Sequence, residues 1–326
     1  MSNHLDDIIA KQHGATNVLV VFLDVIKYSL RKSVMQQRII NAFNDTLQQA
    51  CDDISKKYAL EAQKRTINFA TDIIKIPTGD GAAIVFPFEG LQDIHLHFAI
   101  SFLKFVVSSR QNVECPIFLE NGWCNCHNFF DARIGISDGK GIVFKDINKN
   151  YNIAGNPVNF ANRVMTLGDR NQILLTVDAY RNLIDMTEDT ELESKFVDHG
   201  PVEVKHDITL GIYQYVGADD KFLNIETPLL VNMAQQIKKM KENPIFRNIA
   251  MPNSQSDLIQ QTERMSKMFR IMASSKGDLS GLTQFIQMVT SGNPEDMDSL
   301  EEFFTTRSKL SEITEKLFRS PLNEEG

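Results

Sequence analysis

The sequence predicts an α+β fold: an antiparallel-rich sheet built on a ferredoxin-like β-α-β-β-α-β core, with a helical extension at its C-terminal end. Three observations lead there. Asn17–Leu23, NVLVVFL, is a short continuous apolar run rich in Val, the mark of a buried central strand. The period then changes, for Met35, Ile39, Ile40, Phe43, Leu47, Ala50, Cys51 and Ile54 recur at three- and four-residue steps, which gives a helix one core face. Asp80-Gly81 and Asp138-Gly139 each sit between apolar segments, a strong short-range signal for a β-hairpin.

Composition narrows the functional classes. A chain of 326 residues holds one large domain, or a catalytic domain with an extension, and 42% hydrophobic residues fit a globular core. Its net charge of -8 argues against nucleic acid as a partner, because neutralising a phosphate backbone takes a basic face. Binding a single nucleotide on metal ions is not touched by that argument. No apolar run approaches membrane-spanning length, and MSNHLDDIIAKQHG lacks the basic-then-apolar layout of a signal peptide, so the expectation is a cytoplasmic protein without a membrane partner.

In chain order, residues 1–16 form an N-terminal segment and residues 17–217 the main domain. The strand ending at Asp24 leads through Val25-Ile26-Lys27-Tyr28-Ser29 into a helix from about Ser33 to Tyr58. Thr66–Thr78 and Ala82–Phe86 flank the Gly79-Asp80-Gly81 turn, and Leu91–Ser108 reads as a second helix. His95 and His97 fall off its apolar stripe, so solvent exposure is the expectation for both. Ala132–Ser137 and Gly141–Lys145 read as two strands around Asp138-Gly139. Asn156-Pro157 opens a short helix to about Leu167, with Pro157 in the first turn, where a missing amide hydrogen costs nothing. Gln172–Thr176 is a strand, Val177–Met186 a helix, and Phe196–Val204 with Gly211–Val216 a last strand pair, with the helices gathered on one face of the sheet. Residues 218–326 read as a helical extension, with helices at Asn224–Asn243, Ser254–Lys276, Leu279–Ser291 and Ser299–Phe318.

Four cysteines in a chain this long make a poor disulfide framework. Cys115, Cys124, Cys126 and His127 cluster in sequence, but a zinc site usually shows cleaner paired spacings. Surface thiols on the loop Gln111–Phe130 are the expectation, with a metal clip as the alternative.

Four segments, taken together, resemble the catalytic domain of the class III nucleotidyl cyclases. They are Phe22-Leu23-Asp24-Val25-Ile26-Lys27-Tyr28-Ser29, Thr78-Gly79-Asp80-Gly81, Arg133-Ile134-Gly135-Ile136, and Gly155-Asn156-Pro157-Val158-Asn159-Phe160-Ala161-Asn162-Arg163. The resemblance implies that a nucleoside triphosphate is cyclised, its ribose 3′ hydroxyl attacking the α-phosphate as pyrophosphate leaves. It implies two divalent ions, Mg²⁺ or Mn²⁺, on the carboxylates of Asp24 and Asp80 and the backbone of Val25, since hard cations take oxygen ligands. Asn159 and Arg163 become the catalytic pair. Their four-residue spacing sets them on one helix face, the amide to orient the ribose and the guanidinium to meet charge on the α-phosphate. Lys205 matches the family's triphosphate-binding lysine. Because the family draws its acids from one subunit and its Asn/Arg helix from another, the resemblance also implies a homodimer with composite sites.

The departures from the family concern the base. Purine cyclases of this class read the base with a charged residue where this chain has Ile76, and adenylate cyclases add an Asp where it has Asn152. An apolar side chain cannot hydrogen-bond a purine edge, and a site lacking the required partner loses discrimination. Tyr28 stands where Phe is usual, adding a hydroxyl near the base pocket. With this pocket the chain resembles the pyrimidine cyclases of bacterial anti-phage Pycsar systems, which make cyclic UMP or cyclic CMP for a separate effector protein. UTP is the expected substrate and CTP the alternative, since an amide at Asn152 can donate or accept. The competing readings are an adenylate cyclase with a divergent pocket and a non-catalytic nucleotide-sensing homologue.

Overall fold

The computed structural model describes residues 4–110, 115–204, 208–217 and 221–242. Lys205 and the extension helices expected at Ser254–Lys276, Leu279–Ser291 and Ser299–Phe318 lie outside the described residues. The elements in order are α1 (His4–Gln12), β1 (Ala15–Val25), α2 (Ser33–Lys57), α3 (Ala59–Arg65), α4 (Phe69–Asp72), β2 (Ile74–Pro77), β3 (Gly81–Phe86), α5 (Ile94–Ser108), α6 (Pro116–Asn121), β4 (Ala132–Lys145), β5 (Tyr151–Ala154), α7 (Asn156–Leu167), β6 (Ile173–Thr176), α8 (Val177–Met186), β7 (Phe196–Val204), β8 (Ile208–Tyr215) and α9 (Leu229–Glu242). The strands form an eight-stranded sheet in the order β2-β3-β1-β4-β6-β8-β7, with β5 on β4, and only the β4–β6 pair is parallel.

β1 is central because both of its faces are apolar. Leu19, Val21, Leu23 and Val25 face one core with α2, α5 and α8, whereas Val18, Val20 and Phe22 face a second with Leu5 and Ile8 of α1 and Ala161 and Met165 of α7. Helices therefore cover both faces, not one. The reason is already in the run NVLVVFL, whose alternate residues need partners on opposite sides. The compact unit, Met1–Val204 with Ile208–Lys239, extends past both boundaries read from the sequence. At its N-terminal end α1 buries Leu5 and Ile8, and at its C-terminal end α9 buries Val231 against Leu167, Leu174 and Ile212.

Three local readings change. Thr66–Ile73 is not strand: Asn68 caps α4, its side chain accepting from the Ala70 amide, and the strand begins only at Ile74. Asp138-Gly139 forms no hairpin. β4 runs straight through them, paired with β1 from Val25↔Ala132 to Ala15↔Ile142, and a turn there would forfeit half of that ladder. The hairpin comes later, at Asp146–Asn150, where the Asp146 carboxylate accepts the amides of Asn148 and Asn150 and Lys149 takes φ 67°. His95 is 1% exposed rather than solvated, because α5 packs between α2 and the sheet and Leu96, Ala99 and Leu103 are buried beside the stripe expected from the sequence. His97 is half-buried against Tyr58. Among the described residues no helix is long and apolar enough to cross a membrane.

Candidate active site

The site is assembled at the C-terminal end of β1. Asp24, next to last in that strand, pairs with Gly81 of β3 on one side and Arg133 of β4 on the other. Position 81 must be glycine, since a Cβ there would lie 2.0 Å from the Leu23 carbonyl oxygen. That close approach carries the hairpin tip onto the end of β1. The Thr78 amide bonds the Gly81 carbonyl at 3.0 Å, Gly79 takes φ 96°, and the Val25 amide donates to the Asp80 carbonyl at 3.1 Å. Asp80 is thereby fixed beside Asp24 by backbone geometry alone. One residue on, the Ile26 amide donates to the Asp131 carbonyl, and Lys27 turns the chain with a left-handed φ of 55° into a short 3₁₀ turn, Tyr28–Leu30. A left-handed lysine costs roughly 1 kcal/mol. Its ammonium is held by the Asn121 carbonyl at 2.8 Å.

Asp24 faces the same side of the sheet as Phe22, toward α7, and so does Arg133. The Arg133 Nε donates to Asp24 Oδ2 at 2.8 Å, and its Nη1 donates to the Thr166 carbonyl near the end of α7 at 3.2 Å. Burial raises the Asp24 pKa above its ordinary value, the Arg133 charge and hydrogen bond oppose that rise, and the nearby Asp80 carboxylate adds to it. Two carboxylates crowded at one strand end, with burial against the charged form, make a site that added positive charge would relieve. Asp24 and Asp80 offer hard oxygen donors, and the Val25 backbone adds a carbonyl, so these residues fit Mg²⁺ or Mn²⁺. Arg133 was not singled out from the sequence, although it opens one of the quoted motifs. Strand parity could have found it, because a lone Arg beginning an apolar strand opposite Asp24 needs an acid to face.

α7 begins at Gly155, whose φ is 148°, with Pro157 in its first turn. Pro157, Ala161, Val164, Met165 and Leu167 are buried, which turns Asn159 outward and leaves Arg163 half-buried. Arg163 lies 5.8 Å from the Phe160 ring, and its buried Nη1 has no hydrogen-bond partner, so this guanidinium retains a donor for an anion. Gly135 lets the helix sit this close to the sheet, for a Cβ there would lie 2.1 Å from the Ala161 carbonyl oxygen. Asn159 is seven residues from Thr166, about 10 Å along the axis at 1.5 Å per residue. Within one chain, then, Asp24 meets the C-terminal end of α7 while Asn159 stands toward its other end.

Of the three base-pocket candidates, Ile76 and Asn152 stand on strands that contact each other, β2 and β5, whereas Tyr28 is set apart. Ile76 of β2 pairs with Ala83 and packs, half-buried, against the same apolar cluster as Val158 of α7. Asn152 of β5 pairs with Phe144, and its Oδ1 accepts from the Ile153 amide at 2.8 Å. Tyr28 packs against the core on the opposite face of the sheet, with Val25 and Leu23.

A family model described as the adenylate and guanylate cyclase catalytic domain matches residues 10–217. Among solved structures, the guanylyl cyclase domain of the RhoGC fusion protein from Blastocladiella emersonii is similar at 18% identity, covering 62% of this chain and 97% of that one, with a TM-score of 0.41. The adenylyl cyclase CyaB from P. aeruginosa is 18% identical over 64% of this chain and 98% of its own, with a TM-score of 0.41. The guanylate cyclase domain of RhGC from Catenaria anguillulae, in complex with GTP, is 20% identical over 61% of this chain and 96% of its own, with a TM-score of 0.40. No curated protein matches by sequence.

Proposed function

The chain belongs to the adenylate and guanylate cyclase catalytic domain family, and from that premise we propose that it is a pyrimidine nucleotidyl cyclase, converting UTP, or CTP, to the 3′,5′-cyclic nucleotide and pyrophosphate. The observation that carries the base choice is Ile76. Its side chain is apolar and packs into an apolar cluster, where a purine-reading cyclase holds a charged group. Asn152 adds an amide in place of an acid, which suits the mixed donor and acceptor edge of a pyrimidine. Tyr28, which packs on the opposite face of the sheet from Ile76, is left out of this set.

Asp24, Asp80 and the Val25 carbonyl would hold the divalent ions, which supply charge to the triphosphate and acidity to the 3′ hydroxyl when bound. The rest of the work falls to the chain's own groups. Arg133 aims the Asp24 carboxylate and opposes the burial that disfavours its charged form. Asn159 orients the ribose ring so that its 3′ oxygen lies in line with the departing pyrophosphate. Arg163, half-buried in α7, would turn its guanidinium to the charge that builds on the α-phosphate, a type of contact whose loss typically costs about a hundredfold or more in rate. Lys205 grips the outer phosphates.

Two copies arranged head to tail would bring Asn159 and Arg163 of one to Asp24 and Asp80 of the other. The exposure of Asn159, about 10 Å along α7 from the contact with Arg133, favours that arrangement over a site within one chain. The product serves as a second messenger in antiviral defence, read by a separate effector; the likeness of the pocket to the Pycsar cyclases supports this part of the reading. Incubation with each of the four labelled ribonucleoside triphosphates and Mn²⁺ tests the proposal. Cyclic UMP or cyclic CMP should dominate. Cyclic AMP as the main product would replace the pyrimidine reading with a divergent adenylate cyclase, and tight binding without pyrophosphate release would leave only a sensor.

A further inference from the structure

The residue that caps α6 and the loop between α6 and β4 carry a group of side chains that the cyclase chemistry does not use. It was expected to expose its thiols. Instead Cys115 and Cys124 are buried with Phe118 and Phe129 in an apolar cluster of their own, and only Cys126 is exposed. One ligand atom from each of Cys115, Cys126 and His127 lies within 4.8 Å of the others. The Cys115 and Cys126 sulfurs are 3.5 Å apart, far beyond a disulfide bond of about 2.05 Å. Two thiolates on one tetrahedral zinc ion, each about 2.3 Å from the metal, stand about 3.8 Å apart. The observed spacing is within a few tenths of an ångström of that.

Cys124 is the remaining thiol of this loop. Its sulfur lies 3.8 Å from the His127 carbonyl oxygen, outside the trio of mutually close ligand atoms, and would turn inward to become the fourth donor.

An independent observation comes from Arg31. This guanidinium is 3% exposed and its Nη1 donates to the Cys124 carbonyl at 3.2 Å, but its buried Nε and Nη2 have no partner among the described residues. A buried cation with unmet donors needs an anion nearby. The Asp131 carboxylate acts on Arg31 but is bonded to Arg110 and Asn171; zinc held by three thiolates and a neutral imidazole, with a net charge of about −1, would supply a further anion.

We propose that Cys115, Cys124, Cys126 and His127 form a structural zinc site, with Arg31 as its counter-charge. Soft thiolate donors select zinc over the hard Mg²⁺ expected at Asp24 and Asp80, so the two sites do not compete. Its place in the fold gives it a purpose. The Asn121 carbonyl holds Lys27, the Cys124 carbonyl holds Arg31, and Asn125 Oδ1 accepts the Lys32 amide at 2.9 Å. The zinc loop thus braces the segment that follows Val25, whose conformation at Lys27 is strained.

Metal analysis of the purified full chain tests this, with about one zinc per chain expected. Cys115→Ser and Cys126→Ser should lose the zinc, whereas Cys51→Ala and Asp80→Ala should keep it, which separates this site from the catalytic one. In case the serine variants fail to fold, Co²⁺ exchanged into the unaltered chain should show thiolate charge-transfer and four-coordinate ligand-field bands. A reduced chain that retains no zinc and gives no Co²⁺ bands would overturn the proposal. So would a Cys115–Cys126 disulfide in material isolated without reductant.

Discussion

Replacing Gly135 with alanine tests whether the seating of α7 on β4 sets the reaction rate. A Cβ at this position would lie 2.1 Å from the Ala161 carbonyl oxygen, 2.4 Å from the Met165 amide nitrogen and 2.7 Å from Met165 Cβ. Ordinary contact begins at 3.4 Å, so the nearest approach is short by 1.3 Å. Two of the three atoms are helix backbone and cannot swing aside; α7 itself must lift by about 1 Å. Overpacking of this kind costs about 1–3 kcal/mol. For a domain of this size that lowers Tm by about 2–12 °C. The rate should suffer more than the stability, because the same lift moves Arg163 and Asn159 and loosens the Arg133 contact with Thr166. A displacement of about 1 Å at a reacting centre can cost about a hundredfold. Pyrophosphate release under saturating Mn²⁺ and triphosphate, read beside thermal unfolding, measures both effects. Gly168→Ala is the control, since a Cβ there meets its nearest neighbours at 3.4 Å, and its rate should stay within about twofold of the unaltered chain. Gly135→Ala with an unchanged rate and Tm would refute the reasoning.

Other expectations follow from the site and the core. Asp80→Ala and Arg163→Ala should each abolish turnover, and mixing the two proteins should restore part of it if each active site draws on two chains; a mixture as inactive as its components would rule that out. His95 in α5 has no hydrogen-bond partner, and burial pushes its pKa down to about 4, with Asp93 opposing and His97 assisting. A base held below its unfolded value of about 6.5 leaves stability intact above that pH and drains it as pH falls toward 4, at a full cost of roughly 3 kcal/mol. His95→Leu should therefore lose less Tm than the unaltered chain between about pH 7 and about pH 4.5, and an equal loss would count against a buried neutral histidine.

Several of the proposed site residues stand out in the sequence because their chemistry is local. Asp24 closes a Val-rich run, and Asp80 stands at a turn between apolar segments. Asn159 and Arg163 are set on one helix face by a spacing of four. Turn chemistry alone misled at Asp138-Gly139, where eleven residues of β1 hold β4 extended and a two-residue signal loses to the ladder. Periodicity misled at His95 in a similar way, because α5 is buried on more of its circumference than one stripe describes. The sequence groups Cys115, Cys126 and His127 and leaves a metal clip open, but nothing in it joins Arg31 to Cys124, since that contact depends on how the loop after α6 folds back on the segment after β1.

By itself the sequence determined that this chain has a strand ending in one acid, a hairpin tip bearing another, an Asn/Arg helix, and Ile76 where a charged base reader would stand. Tertiary structure decided that Asp24 shares Arg133 with the end of α7, that Tyr28 and Ile76 lie on opposite faces of the sheet, and that the thiols of Cys115 and Cys126 converge with the His127 imidazole. The division has a physical cause. Period and turn chemistry act between near neighbours, whereas register, close approach at glycine and burial of charge are set by residues a hundred positions apart.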